Sequence, residues 1–154
     1  MKFLKILFIM GFSLLLFADK VEIVSDTMEA QNLKKEVHFV GNVKIKQLKN
    51  SLYGDKVIVY FNDNNKTKKY EAIGAVRFEF EQEKGHYKGH ADRVTYYPLK
   101  SQYILKGKAV IDDVVNKRHI DGNEIILDVL TGKVKIKGSN KKPVKFIFDM
   151  ENKK

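Results

Sequence analysis

"VHFVGNVKIKQ", Val37 to Gln47, decides the fold, because an apolar/polar alternation meets a glycine-asparagine pair and resumes at once beyond it. Asn-Gly is the usual two-residue hairpin signal, but here the order is reversed. A turn and a strand start both fit this stretch taken alone. The rest of the chain separates them.

The same join recurs. "VGNVKI" at Gly41, "IGAVRF" at Gly74, "KGKAVI" at Gly107 and "KGSNKKPV" at Gly138 stand 33, 33 and 31 residues apart. The first three are followed, after 13, 15 and 15 residues, by a second glycine element: "YGDKVIVYF" at Gly54, "KGHADRVTYY" at Gly89 and "DGNEIILDV" at Gly122. A period of this size signals units that bury their apolar face only against neighbouring units. Two strands per unit are too few for a propeller blade, and the turns are too long for a tight hexapeptide helix. A long antiparallel roll or meander remains, with glycines where the chain bends or bulges. Gly41 and Asn42 therefore read as a join rather than a hairpin tip.

Strand texture fills the chain between these points. "VKIK" (43 to 46), "KVIVYF" (56 to 61), "AVRFEFE" (75 to 81), "DRVTYY" (92 to 97), "AVID" (109 to 112), "EIILDV" (124 to 129), "KVKIKG" (133 to 138) and "VKFIF" (144 to 148) are β-branched and aromatic, several in strict alternation. "NDNNKTKK", "EKGHYKG" and "DVLTGK" read as turns. No helical-length window keeps a 3.6-residue apolar period, so the fold class is all-β.

Alternation assigns faces. Val43 and Ile45 share one side against Lys44 and Lys46, and Val134 and Ile136 repeat this against Lys133, Lys135 and Lys137. Val57, Val59 and Phe61, then Val76, Phe78 and Phe80, then Val94 and Tyr96, extend one apolar surface through the repeats. Such a stripe is either a sandwich core or the lining of a groove. Seven tyrosines and ten phenylalanines without a tryptophan suit an adaptable lining.

The chain is 154 residues long, the length of one domain, and has no cysteine, so neither disulfides nor thiolate chemistry is available. "MKFLKILFIMGFSLLLFA", Met1 to Ala18, places Lys2 and Lys5 before an apolar run and ends on a small residue. That is the pattern of a secretory signal, too short to span a bilayer comfortably, although retention as an anchor stays open. The expected product is a single domain of residues 19–154. Its loss takes the net charge from +10 to +8. In the cytosol such a charge would point to nucleic acid. Outside it, the abundant polyanions are phosphorylated lipids and glycolipids, so no nucleic-acid partner is expected. Lysines that merely guard strand edges would give the same excess.

Catalysis finds no constellation. None of Ser25, Ser51, Ser101 and Ser139 sits in a Gly-x-Ser-x-Gly elbow, and no glycine loop leads into a lysine followed by Ser or Thr. His86 and His90 in "HYKGH" have the spacing of a helical metal pair, but Gly89 between them argues for an exposed turn. His38 and His119 stand apart from them. Asp112 and Asp113 are neighbours and point to opposite faces of a strand. No enzyme activity, metal or cofactor is expected.

These residues carry a resemblance. The "GNV"-type joins, the "SD" of "VEIVSDTMEA" and the "GD" and "AD" openings of "YGDKVIVYF" and "GHADRVTYY" resemble the LptA/OstA family of periplasmic lipopolysaccharide transport proteins, over essentially all of Val21 to Ile136. The chain departs from the pattern at "GAV" and "GKA", and its segment after Gly138 is short. The resemblance implies an OstA-like β-jellyroll, a V-shaped roll of antiparallel strands that carries lipopolysaccharide acyl chains between its two sides. It further implies head-to-tail stacking into a bridge from inner to outer membrane, driven by an ATP-dependent inner-membrane extractor. The periplasm is then the expected location.

On that footing the groove lining comprises the apolar stripe from Val43 to Ile136 given above, and the open strand edges are the joints. Val21 and Ile23 would meet an inner-membrane LptC-like protein; Val144, Phe146 and Phe148 would meet an outer-membrane LptD-like translocon or a second copy. Pro143, Lys141, Lys142 and Lys145 would limit uncontrolled pairing there. Two alternatives stay open: the membrane-anchored LptC-like component of the same machine, and an exported structural β-protein with a closed core.

Overall fold

Most of the short runs are halves of longer strands, each of which passes straight through its glycine. The computed structural model describes residues 21–82, 85–128 and 130–150; the signal segment lies outside them. The strands are β1 (Glu22–Val24), β2 (Thr27–Gln31), β3 (Glu36–Gln47), β4 (Asn50–Phe61), β5 (Thr67–Gln82), β6 (Gly85–Tyr97), β7 (Gln102–Asp113), β8 (Arg118–Asp128), β9 (Val134–Lys137) and β10 (Lys145–Phe148). All pair antiparallel in one sheet ordered β1-β3-β4-β5-β6-β7-β8-β10, with β2 also on β3 and β9 also on β8. "EKGHYKG" is thus corrected: β6 already begins at Gly85, so the connection is shorter than the polar composition suggested.

The glycines mark bulges. Register shifts fall between Val40 and Val43, Ile73 and Val76, and Lys106 and Ala109. At each, two residues (Gly41-Asn42, Gly74-Ala75, Gly107-Lys108) lie against one on the next strand: Asp55, Asp92 or Asn123. Both bulged residues have positive φ, +86 and +48 for Gly41 and Asn42, a conformation that glycine adopts freely and Asn tolerates. A Cβ at Gly41, Gly74 or Gly107 would collide with Asp26, Asp55 or Asp92 respectively. The "SD", "GD" and "AD" aspartates and the repeat glycines are therefore two sides of one bulge, which explains why they recur together.

The bulges divide every long strand into two arms. In the first, Val57, Ala72, Val94, Leu105, Ile125 and Ile136 stand in register across the sheet. In the second, Ile45, Leu52, Phe78, Gly89, Ile111 and Ile120 do the same. On β4, β6 and β8 the unmatched residue changes the parity: Leu52 and Gly54 are buried before Asp55, Val57 after it. Val43, Val76, Phe80, Tyr103 and Ile125 are fully buried although the described residues hold no helix longer than the 3-10 turn Pro98–Lys100. Only the other arm of the same sheet can cover them, so the sheet folds over along its line of bulges.

Side chains close the hairpins. Asn62 Oδ1 accepts from the N–H groups of Asn64 and Lys66, and Asp128 Oδ1 accepts from Leu130 and Thr131. Burial pushes the Asp113 carboxyl up, but hydrogen bonds from Asn116 and Arg118 outweigh it and hold it below its ordinary value.

Candidate functional site

The inner face narrows to an apolar cavity of about 90 Å³ at the N-terminal end of the sheet. Val21, Ile23, Ile45 and Leu52 contribute from the second arm and its edge strand; Val57, Val59, Tyr70, Ala72, Val94, Tyr96 and Tyr103 contribute from the first. Three stacked tyrosines form one of its walls. Tyr70, Tyr96 and Tyr103 are register partners on β5, β6 and β7, with ring centroids 6.0 and 4.2 Å apart in stacked geometry. Burial raises all three hydroxyl pKa values, most strongly at Tyr103, so this wall stays neutral through the physiological range.

Glu71 also borders the cavity and is held on two sides. Tyr60 donates to its Oε1 at 3.0 Å, and Arg93 Nη1 to its Oε2 at 3.0 Å. Desolvation, reinforced by Glu71, lifts the Tyr60 hydroxyl to about 12.

The apolar stripe is brought together almost entire. Val43, Val57, Val76, Phe78, Phe80, Val94 and Tyr96 are buried in one cluster, with Ile45 and Ile136 packed against it. Val59 is half-buried at the cavity, Phe61 is half-buried at the end of β4, and Val134 is exposed on β9. Leu52, Tyr70, Ala72 and Tyr103 line the cavity and escaped the sequence reading. The repeat could have found two of them: Tyr70 and Tyr103 stand four residues before Gly74 and Gly107, as Val37 stands before Gly41.

The two edges of the sheet differ in character. Val21 and Ile23 turn one side to the cavity, whereas Val144, Phe146 and Phe148 are about half exposed on the opposite edge. His86 and His90 are corrected from a turn to strand β6, where four residues of rise, about 13 Å, keep them apart. His86 instead meets Glu79 at 2.6 Å. Asp112 and Asp113 do take opposite faces, pairing with His119 and Arg118.

Residues 22–137, from β1 through β9, match the family described as LptA/(LptD N-terminal domain) LPS transport protein. The chain belongs to that family. It is a transport protein rather than an enzyme, and the β-jellyroll is the family's fold. The crystal structure of LptH, the LptA homologous periplasmic component of the conserved lipopolysaccharide transport device from Pseudomonas aeruginosa, superposes with a TM-score of 0.72. Identity is 15%, over 86% of this chain and 96% of that one, so the likeness speaks for the fold. No curated protein matches. Among the described residues no helix is long and apolar enough to cross a membrane.

Proposed function

We propose that this protein carries lipopolysaccharide across the periplasm with its acyl chains between the two arms of the sheet. The observation that supports this reading is the continuous apolar inner face, which runs through both arms and reaches a cavity beside the edge strand β1. Exposing a 14-carbon chain to water costs on the order of 10 kcal/mol at about 0.8 kcal/mol per CH₂. An apolar lining removes that barrier without chemistry.

The cavity of about 90 Å³ is smaller than the ~150 Å³ site that admits benzene in an engineered protein core. Loading therefore moves the arms apart, with Ile45, Val59 and Phe61 as the first side chains uncovered and Val43, Val76 and Phe80 as the floor. The lining keeps the set Val43, Ile45, Val57, Val59, Phe61, Val76, Phe78, Phe80, Val94, Tyr96, Val134 and Ile136, extended by Tyr70 and Tyr103.

Partners meet the two edges. An LptC-like inner-membrane protein takes the β1 side at Val21 and Ile23; an LptD-like translocon, or a further copy stacked head to tail, takes Val144, Phe146 and Phe148. Cleavage after Ala18 releases the mature chain, so mass spectrometry of the exported protein gives Asp19 as its first residue. An intact Met1 to Ala18 would favour the membrane-anchored component.

Photocrosslinking tests the cargo. A photoreactive side chain at Val43, Val59, Phe78 or Tyr96 crosslinks to lipopolysaccharide, and one at Lys44 or Lys135 does not. Crosslinks confined to the two lysine positions, or absent throughout, would sink the carrier reading.

A further inference from the structure

On the outer face of the second arm, four strands place Lys44, Tyr53, Arg77 and His90 in direct register on β3, β4, β5 and β6. Register partners share a face, so the row runs about 14 Å across the sheet. Tyr53 organises it: the Arg77 guanidinium lies 4.4 Å and the Lys44 ammonium 5.5 Å from its ring centroid. Neither cation forms an ion pair with a carboxylate among the described residues, and neither does Lys46. By contrast Lys49, Lys88 and Arg93 are each paired.

Two depressions flank this row. One, of about 430 Å³, is lined by Arg77, Lys88 and His90 with Ser51 and the carboxylates Glu79 and Asp112; the other, of about 320 Å³, by Lys44, Lys46 and Lys49. Ser51 and Tyr53 line both.

We propose that this row is a binding site for a phosphorylated saccharide, with Arg77 and Lys44 as its phosphate contacts. A guanidinium stacked on a ring keeps its N–H edge free for a bidentate phosphate, and the stacking fixes its direction beforehand. Lys46 supplies a second charge two residues from Lys44 on the same face. Glu79 and Asp112 at the far side accept hydrogen bonds from sugar hydroxyls, whereas an acidic peptide would meet them as like charges. The recesses suit a discrete head group better than a flat bilayer surface.

The site draws on the carrier reading only for the source of the saccharide, the polar end of the cargo. Its test uses no acyl chain, so it can fail while interior crosslinks succeed, and the reverse.

The measurement is calorimetric titration of the full mature chain with the phosphorylated oligosaccharide released from lipopolysaccharide by complete deacylation. Binding is expected to saturate, to weaken about tenfold in Arg77→Gln and in Lys44→Gln/Lys46→Gln, and to be unchanged in Lys135→Gln on the first arm. Unchanged unfolding midpoints confirm that these substitutions, at exposed Lys46, Arg77 and Lys135 and half-buried Lys44, leave the fold intact. The dephosphorylated oligosaccharide is expected to bind at least tenfold more weakly. Equal binding of the two saccharides, or indifference to Arg77→Gln, overturns the proposal. So does competition by an oligoglutamate peptide or by phosphatidylglycerol vesicles at matched charge that equals or exceeds that of the phosphorylated saccharide.

Discussion

Three bulges of this sheet are built alike and a fourth is not. At Gly41, Gly74 and Gly107 an aspartate fills the place of the missing side chain (Asp26 from the bend between β1 and β2, Asp55 from β4 and Asp92 from β6), and the strand continues unbroken. At the fourth position Asn123 stands where the others have aspartate, and the chain leaves the sheet after Lys137 to return as β10. A Cβ at Gly138 would meet Lys142 and Pro143, and no aspartate. β9 and β10 both pair with β8, on either side of Asn123, so together they occupy the place of one long strand with its bulge replaced by an excursion. The difference teaches that the repeat is a bulge unit rather than a strand unit. It is complete wherever a further strand follows and relaxed at the edge.

The largest effect should come from breaking a complete unit. Gly74→Val puts a β-branched residue at φ +87 against Asp55 and is expected to lower stability by about 3 kcal/mol or more in urea unfolding. A loss below about 1 kcal/mol would mean that the bulge does not hold the arms in place.

Next come the two depths of the inner face. Phe78→Ser removes a buried ring and should cost about 3 kcal/mol, whereas Val59→Ser, half-buried at the cavity, should cost about 1 kcal/mol and chiefly reduce lipopolysaccharide crosslinking from Tyr96. Equal destabilisation by both would favour a closed core.

The relaxed edge should respond oppositely. Phe146→Lys with Phe148→Lys alters side chains already half exposed, so stability should shift by less than about 1 kcal/mol, while end-to-end association measured by sedimentation disappears. Intact association would place the joint elsewhere.

The smallest effect concerns the same edge through charge. Hydrogen bonds from His119 to Asp112 and then to Asp121 raise its pKa above 6.5, and His119 lies opposite Ile147 of β10. Hydrogen bonding to His119 likewise lowers the Asp121 carboxyl, aided by Lys142 and Lys145. A raised histidine stabilises fully below its unfolded value and loses that contribution as pH climbs through the folded one. The stability gap between the natural chain and His119→Gln should therefore be larger at pH 6 than at pH 9; a gap independent of pH would remove the charge from the account.

Much of the site was legible because alternation survives wherever parity does. On β3, β5 and β7 the bulge inserts residues without changing parity, so Val43, Val76 and Phe78 could be read directly. Tyr70 and Tyr103 were not, because their polar hydroxyls and the charged residues around them hide the stripe in "KKYEAIG" and "KSQYILKG". Leu52 was lost for another reason: Asp55 flips the face of β4, so counting outward from Val57 gives the wrong side.

By itself the sequence determined the all-β class and the glycine period, since backbone preference and alternation are local; that each repeat glycine stands against an aspartate 15 to 19 residues earlier is a cross-strand contact. The sequence also carried the family in the spacing of those local signals. Only the tertiary structure decided that each glycine lies inside a strand, that one sheet covers its own face, and that Lys44, Tyr53, Arg77 and His90 share a row. Register between strands is a relation among distant residues, and no local pattern specifies which side chains it will bring together.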